Sequence, residues 1–248
     1  MKKAALLIGA AILSVAAGSV RADVVAGWTF ESSGLGSTTP NYLPGANTAT
    51  TNFYAETGLL GGIASAYGLH VGAATYTSPA GNGSIKSLSS SLWAQGDYYE
   101  FVVPLSTLSD SFSAFSVSYD QNGSGTGPRT YFLEYSLDGS SFTKIGNDYA
   151  LTASISWNTA TANQATQLTY DLSGITQLNT ASTLYFRIVD DSPTIAGAIN
   201  GGNVGTGGTD RVDNFIVNAT VAAVPEPATV ALATIGGFAA LFALRRKR

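Results

Sequence analysis

Apolar and polar residues alternate through the middle of this 248-residue chain. Tyr99, Phe101 and Val103 are separated by Glu100 and Val102. Phe115, Val117 and Tyr119 enclose two serines. Tyr131, Leu133, Tyr135 and Leu137 share one face, with Glu134 and Ser136 on the other. Leu168, Tyr170 and Leu172 repeat the pattern, as do Leu184, Phe186 and Ile188 around Tyr185 and Arg187. Successive side chains of a strand point to opposite faces, so a period of two predicts half-buried antiparallel strands. Val24–Phe30 and Val212–Val217 read as the first and last of them. Asp138-Gly139, between Tyr131–Leu137 and Phe142–Ile145, is a hairpin signal. Gln121–Pro128 and Ser192–Thr209 are glycine-rich and read as loops. Thr38–Ser91 alternates weakly and is expected to form long loops on one face. No stretch of the body keeps a helical period, and no repeat of fixed length recurs. The expectation is an all-β fold, an antiparallel β-sandwich of jelly-roll type.

The two ends break this pattern. Lys2 and Lys3 precede an apolar run from Ala4 to Ala17, and Val20-Arg21-Ala22 offers a cleavage site. This predicts an N-terminal signal helix, residues 1–22, and a mature chain that begins at Asp23. The apolar run falls short of the ~20 residues that a membrane span needs. At the other end, Val224-Pro225-Glu226-Pro227 leads into Ala228–Leu244, which is free of charge, and then Arg245-Arg246-Lys247-Arg248. As a helix that segment would be about 25 Å long, close to the ~30 Å of the hydrocarbon core. It is therefore expected to be a C-terminal transmembrane helix whose four cations stay in the cytoplasm, with the body on the far side of the inner membrane.

Pro225, Glu226 and Pro227, one apolar span, and the cluster Arg245, Arg246, Lys247 and Arg248 together resemble the PEP-CTERM sorting signal of Gram-negative bacteria that make exopolysaccharide. The resemblance covers Val224–Arg248. It implies processing by an exosortase, a membrane cysteine peptidase-transferase, and release of the body to the outer surface or extracellular matrix. The stretch from Gly81 to Phe101 also looks like other PEP-CTERM bodies. The organisation expected is a signal peptide (1–22), a β-sandwich (23–223) and a sorting signal (224–248).

Charge sharpens the picture of the body. The whole chain carries −4, but residues 23–224 hold five basic side chains against fifteen acidic ones, a net of −10. Such a body repels nucleic acid and anionic membrane. Acidity of this kind keeps exported proteins soluble, and it also suits calcium. With no cysteine, disulfides, thiolate zinc sites and cysteine nucleophiles are excluded. The fold must therefore be held by its core.

Candidate chemistry is sparse. His70 is the single histidine, which excludes a His-rich zinc site; flanked by Leu69 and Val71, it reads as a half-buried strand residue. There is no Gly-x-Ser-x-Gly elbow, and the glycine-rich loops lack the Lys-Ser/Thr of a phosphate cradle. Asp190, Asp191, Asp210 and Asp213 read as solvated loop acids and local ion pairs. Trp28-Thr29-Phe30-Glu31 and Arg211-Val212-Asp213-Asn214-Phe215 resemble the two ends of carbohydrate-binding jelly rolls, and that likeness implies a structural calcium held by Glu31 and Asp213. Trp28, Trp93 and Trp157 are the candidates for stacking on sugars. The reading is a non-enzymatic surface or matrix protein with a body that binds glycan, exopolysaccharide being the partner. An extracellular polysaccharide-acting enzyme on the same fold and a matrix component with no ligand are the alternatives.

Overall fold

The computed structural model describes residues 20–32, 39–40, 53–72, 74–152 and 155–222. Most of the expected signal helix and the whole sorting segment, with Pro225, Glu226, Pro227 and the four terminal cations, lie outside the described residues. Within them the protein is all-β, built from two antiparallel sheets. The strands are β1 (Val20–Trp28), β2 (Thr39–Pro40), β3 (Phe53–Tyr54), β4 (Ser65–Leu69), β5 (Thr75–Thr77), β6 (Leu88–Ser91), β7 (Tyr98–Val103), β8 (Ser111–Gly123), β9 (Thr130–Ser136), β10 (Thr143–Ala150), β11 (Gln167–Asp171), β12 (Leu184–Asp190) and β13 (Thr209–Ala222).

The first sheet runs β11-β8-β13-β6-β5-β2, with β1 also on β13. The second runs β10-β9-β12-β7-β4-β3. β13 is long enough to serve β6 with its first residues and β1 with its last ones, while β8 runs along its other side. From β7 onward the chain changes sheet at every step but the β9–β10 hairpin, so neither sheet can assemble without the other. That hairpin turns at the predicted place: Gly139 adopts φ +73°, and the Asp138 carboxylate accepts the backbone N–H of Ser140 and Ser141.

The predicted alternation fixes which side chains meet between the sheets. Phe101 from the second sheet stacks on Phe215 from the first, ring centroids 3.5 Å apart and planes 4° from parallel. Trp28 abuts both rings edge-on, and its indole N–H donates to the Phe53 carbonyl. Each ring buried here contributes about 1.5–3 kcal/mol of transfer free energy. Towards one end of the sandwich this apolar interior gives way to a polar layer of His70, Ser90, Tyr99, Gln121, Asp190 and Asp210.

The segment Thr38–Ser91 departs from the sequence expectation. It supplies β2–β6 and contributes to both sheets. These strands have two to five residues, most of them Ser, Thr, Ala or Gly, so their alternation carries little hydrophobic contrast. Gly68 in β4 shows why small residues are used: a Cβ there would lie 2.1 Å from the Tyr76 hydroxyl, which packs against the bare backbone.

Candidate functional site

The three tryptophans are core residues, which corrects the expectation that they stack on sugars. Trp28 is 0% exposed, Trp93 6% and Trp157 7%. Trp93 lies against His70, Tyr99 and Tyr131 and donates to the Ser90 carbonyl. Trp157 donates to the Thr166 hydroxyl, with the Arg211 guanidinium 5.8 Å from its ring centroid. A ring whose faces are covered by protein has none left for a pyranose.

His70 is fully buried rather than half-buried. Its Nδ1 lies 3.1 Å from Asp97 Oδ2 and its Nε2 3.1 Å from Ser90 Oγ. Ser90 Oγ bonds Tyr99 OH, which donates to the Asp210 carbonyl. The order Asp97-His70-Ser90 is that of a hydrolase triad, but Ser90 is 1% exposed and no substrate can reach its hydroxyl. The chain of bonds instead ties the end of β4 in the second sheet to β6 and β13 in the first.

Asp190, Asp210 and Asp213 are likewise not solvated, another departure from the sequence reading. Asp190 continues the inward series Leu184, Phe186 and Ile188, and Asp210 falls in phase with Val212. Burial pushes the Asp190 carboxyl up to about 7, against the pull of the Ser192 N–H on its Oδ1. Burial also raises Asp210 well above the usual carboxylate range, although the Gln121 amide donates to both of its oxygens.

Glu31 and Asp213 converge on the loop from Gly81 to Lys86. Glu31 Oε1 accepts the Lys86 N–H at 3.0 Å. Asp213 Oδ2 accepts the Asn82 N–H and the Ser84 hydroxyl. A Cβ built on Gly81 would lie 1.9 Å from Ser84 Oγ, 2.2 Å from the Lys86 carbonyl and 2.3 Å from Asp213 Oδ2. Ser84 Oγ lies within hydrogen-bond distance of both the Lys86 carbonyl and Asp213 Oδ2, so the loop closes on the carboxylate tightly enough that only a residue without a side chain fits at position 81. The donor set is all oxygen, so these residues fit a hard cation.

The most extensive surface constellation was not singled out by the sequence. Tyr67 (β4), Glu100 (β7), Arg187 (β12), Glu134 (β9) and Lys144 (β10) pair in register and form one rung across five strands, on the outer face of the second sheet. The Tyr67 hydroxyl donates to Glu100 Oε1, and Arg187 Nε donates to Oε2 of the same carboxylate at 2.5 Å. Arg187 Nη1 lies 3.8 Å from Glu134 Oε1. Its guanidinium sits 4.0 Å from the Tyr98 ring centroid and 3.5 Å from that of Phe142. Lys144 Nζ lies 4.5 Å from the Phe132 centroid. Burial and the Glu100 carboxylate raise the Tyr67 hydroxyl, and burial raises Glu134 against the pull of Arg187. Tyr98 and Phe132 belong to the next rung on one side and Tyr185 to the next on the other. The face therefore combines aromatic rings with fixed donors and acceptors, the two kinds of contact that a sugar ring offers.

A family model described as the PEP-CTERM protein-sorting motif matches residues 223–248. The chain carries a PEP-CTERM sorting motif. It is thereby an exported, sorted protein. The motif spans about a tenth of the chain and leaves the body to its own geometry. No curated protein matches the chain. Among solved structures, the xylan-binding CBM22-1 domain of Paenibacillus barcinonensis Xyn10C is similar at 11% identity, covering 85% of this chain and 100% of that one, with a TM-score of 0.40. The K3 cleaved adhesin domain of Lys-gingipain from Porphyromonas gingivalis shows 14% identity over 79% of this chain and 98% of its own, with a TM-score of 0.39. TmCBM61, solved with β-1,4-galactotriose, shows 10% identity over 62% and 86%, with a TM-score of 0.34. At these TM-scores the likenesses carry no argument about what the body does.

Asp190 makes stability depend on pH with a defined sign. Its carboxyl is raised in the folded state relative to the unfolded chain, so its stabilising contribution is complete below about pH 4 and is lost as pH rises through about 7. The span is worth at most roughly 4 kcal/mol, at ~1.4 kcal/mol per pH decade. Urea unfolding of Asp190→Asn should show a shallower fall in stability between pH 4 and 8 than the parent protein. Equal slopes would mean that Asp190 does not titrate in this window.

Proposed function

We propose that this is a cell-surface or extracellular-matrix protein whose jelly-roll body binds glycan on the outer face of the second sheet. The precursor is held in the inner membrane by its C-terminal segment until an exosortase processes the Pro225-Glu226-Pro227 motif. The observation that carries the binding reading is the five-strand rung from Tyr67 to Lys144 with aromatic rings on both flanks. Arg187 is held by Glu100 on one side and enclosed by Tyr98 and Phe142, so the face is set before a ligand arrives and loses little side-chain entropy on binding. The enzyme alternative has the sealed Asp97-His70-Ser90 chain against it.

The test is co-sedimentation of the purified protein with the host exopolysaccharide. Tyr98→Ala and Arg187→Ala should each weaken saturable binding about tenfold, equivalent to ~1.4 kcal/mol. Unchanged binding in both variants would move the site elsewhere, and no binding by the parent protein would leave a matrix component without a ligand.

A structural calcium is proposed where Glu31 and Asp213 converge on the Gly81–Lys86 loop, with these two carboxylates as its candidate ligands. The ion would neutralise Asp213, whose carboxyl burial otherwise pushes up to about 6. Chelation should lower the melting temperature, by the equivalent of about 2.7 kcal/mol where calcium stood at 100 times its Kd. Asp213→Asn removes a candidate ligand charge and should abolish the response to chelator. A melting curve indifferent to EDTA removes the ion from the account.

For the sorting step, the double substitution P225A/E226A should leave uncut precursor in the membrane fraction on immunoblots. Normal processing of that variant would exclude the motif as the exosortase signal.

A further inference from the structure

The residues that border the expected signal-peptide cut and the sorting motif meet on one ladder of the first sheet. β1 enters it at Val20 and β13 leaves it at Ala222, and the outermost three rungs are Val20–Ala222, Arg21–Val221 and Ala22–Thr220. The expected cut between Ala22 and Asp23 falls at the inner end of these rungs. On its other side the same stretch of β13 pairs with β8, at Thr220–Ser113, Val221–Phe112 and Ala222–Ser111. Arg21 and Ala22 add nothing to the core, for both are exposed, whereas Val25, Ala26 and Trp28 further along β1 are fully buried. The Arg21–Asp23 ion pair lies at the surface, where such pairs contribute little. What Val20–Ala22 supply is cover for the edge of β13. An enzyme that takes an extended peptide grips free backbone N–H and C=O groups, and a strand flanked on both sides has none to offer. Two residues, Ala223 and Val224, separate Ala222 from Pro225. An extended chain advances at most ~3.6 Å per residue, so the sorting motif begins directly beyond the end of the sheet.

We propose that removal of the signal peptide uncovers the β13 edge at Thr220–Ala222 and that the exosortase docks on this edge, so that the N-terminal cut licenses the C-terminal one. The proposal rests on the exosortase reading of Pro225-Glu226-Pro227. With β8 still behind it, the uncovered edge stays extended and presents its backbone just ahead of the motif. Val221, 4% exposed, keeps the end of the strand seated in the core while the edge is engaged. A precursor that retains its signal segment keeps the edge filled by Val20–Ala22 and is spared from sorting until its export is complete.

The experiment follows both cuts in pulse-chased host cells, by mass spectrometry of the immunoprecipitated full chain. The parent should lose its signal peptide first, begin at Asp23, and be cut at the sorting motif afterwards. Ala22→Leu denies the signal peptidase the small residue that its site requires, and the position is exposed, so the fold accepts the change. Its sorting cut should slow about tenfold, the effect of one or two backbone hydrogen bonds withheld from the enzyme. The triple variant V20P/R21P/A22L keeps the signal segment attached but sets prolines, which cannot donate to a ladder, against β13. Its sorting cut should return towards the parent rate. If the peptidase turns instead to Ala17-Gly18-Ser19 in Ala22→Leu, the three rungs remain and sorting should stay slow with the N-terminal tether gone. Sorting of Ala22→Leu at the parent rate, a triple variant as slow as Ala22→Leu, or a mature parent that begins at Val20 would each overturn the proposal while leaving the exosortase reading in place. A parent never cut at the motif would overturn that reading and the proposal with it.

Discussion

The stacking of Phe101 on Phe215 is the contact on which the sandwich depends. The chain has no cysteine, and its described helical pieces are three short 3-10 turns, so the two sheets are held by what they bury between them. Phe101 belongs to the second sheet and Phe215 to the first, and Trp28 wedges against both. Because the chain crosses between sheets at almost every strand from β7 onward, this stack also fixes the phase of each neighbour. Once Phe101 points inward, Glu100 and Val102 must point outward, and the same parity applies to Phe186 and Arg187. The charged rung on the outer face is thus the reverse side of the aromatic core.

That dependence explains how much the sequence reveals. Alternation in Tyr99–Val103, Phe115–Tyr119, Tyr131–Leu137 and Leu184–Ile188 identifies the strands and their buried faces, and the hairpin at Asp138-Gly139 lies where its turn chemistry places it. The strands of Thr38–Ser91 are hidden because residues such as Ala66, Gly68 and Ser90 give little hydrophobic contrast. Their burial comes from close backbone approach, as with Gly68 and the Tyr76 ring, and from hydrogen bonds to partners distant in the chain, as from the Ser89 hydroxyl to the Asp210 carbonyl.

The outer-face rung is less legible in the sequence for a related reason. Tryptophans attract attention as sugar platforms, yet in a body with few large aliphatic side chains they are needed inside. Glu100, Arg187, Glu134 and Lys144 each look like an ordinary solvent-facing charge between apolar neighbours. Their significance lies in register, and register between strands 34 to 87 residues apart in sequence, as for Glu100 with Glu134 or Arg187, is set by the assembled sheet. The likeness of the chain's two ends to carbohydrate-binding jelly rolls points to Glu31 and Asp213, and both meet the Gly81–Lys86 loop. Asp190 and Asp210 were misread because a carboxylate next to a loop is normally wet, whereas strand phase carries these two into the interior.

The register of β1 on β13 has a mechanical consequence. Val20 pairs with Ala222, so the chain enters and leaves the sandwich at the same corner. Tension on the C-terminal flank is borne by the rungs that β13 shares with β1 and β8, and the aromatic stack is disturbed only once pairing has been lost back to Phe215.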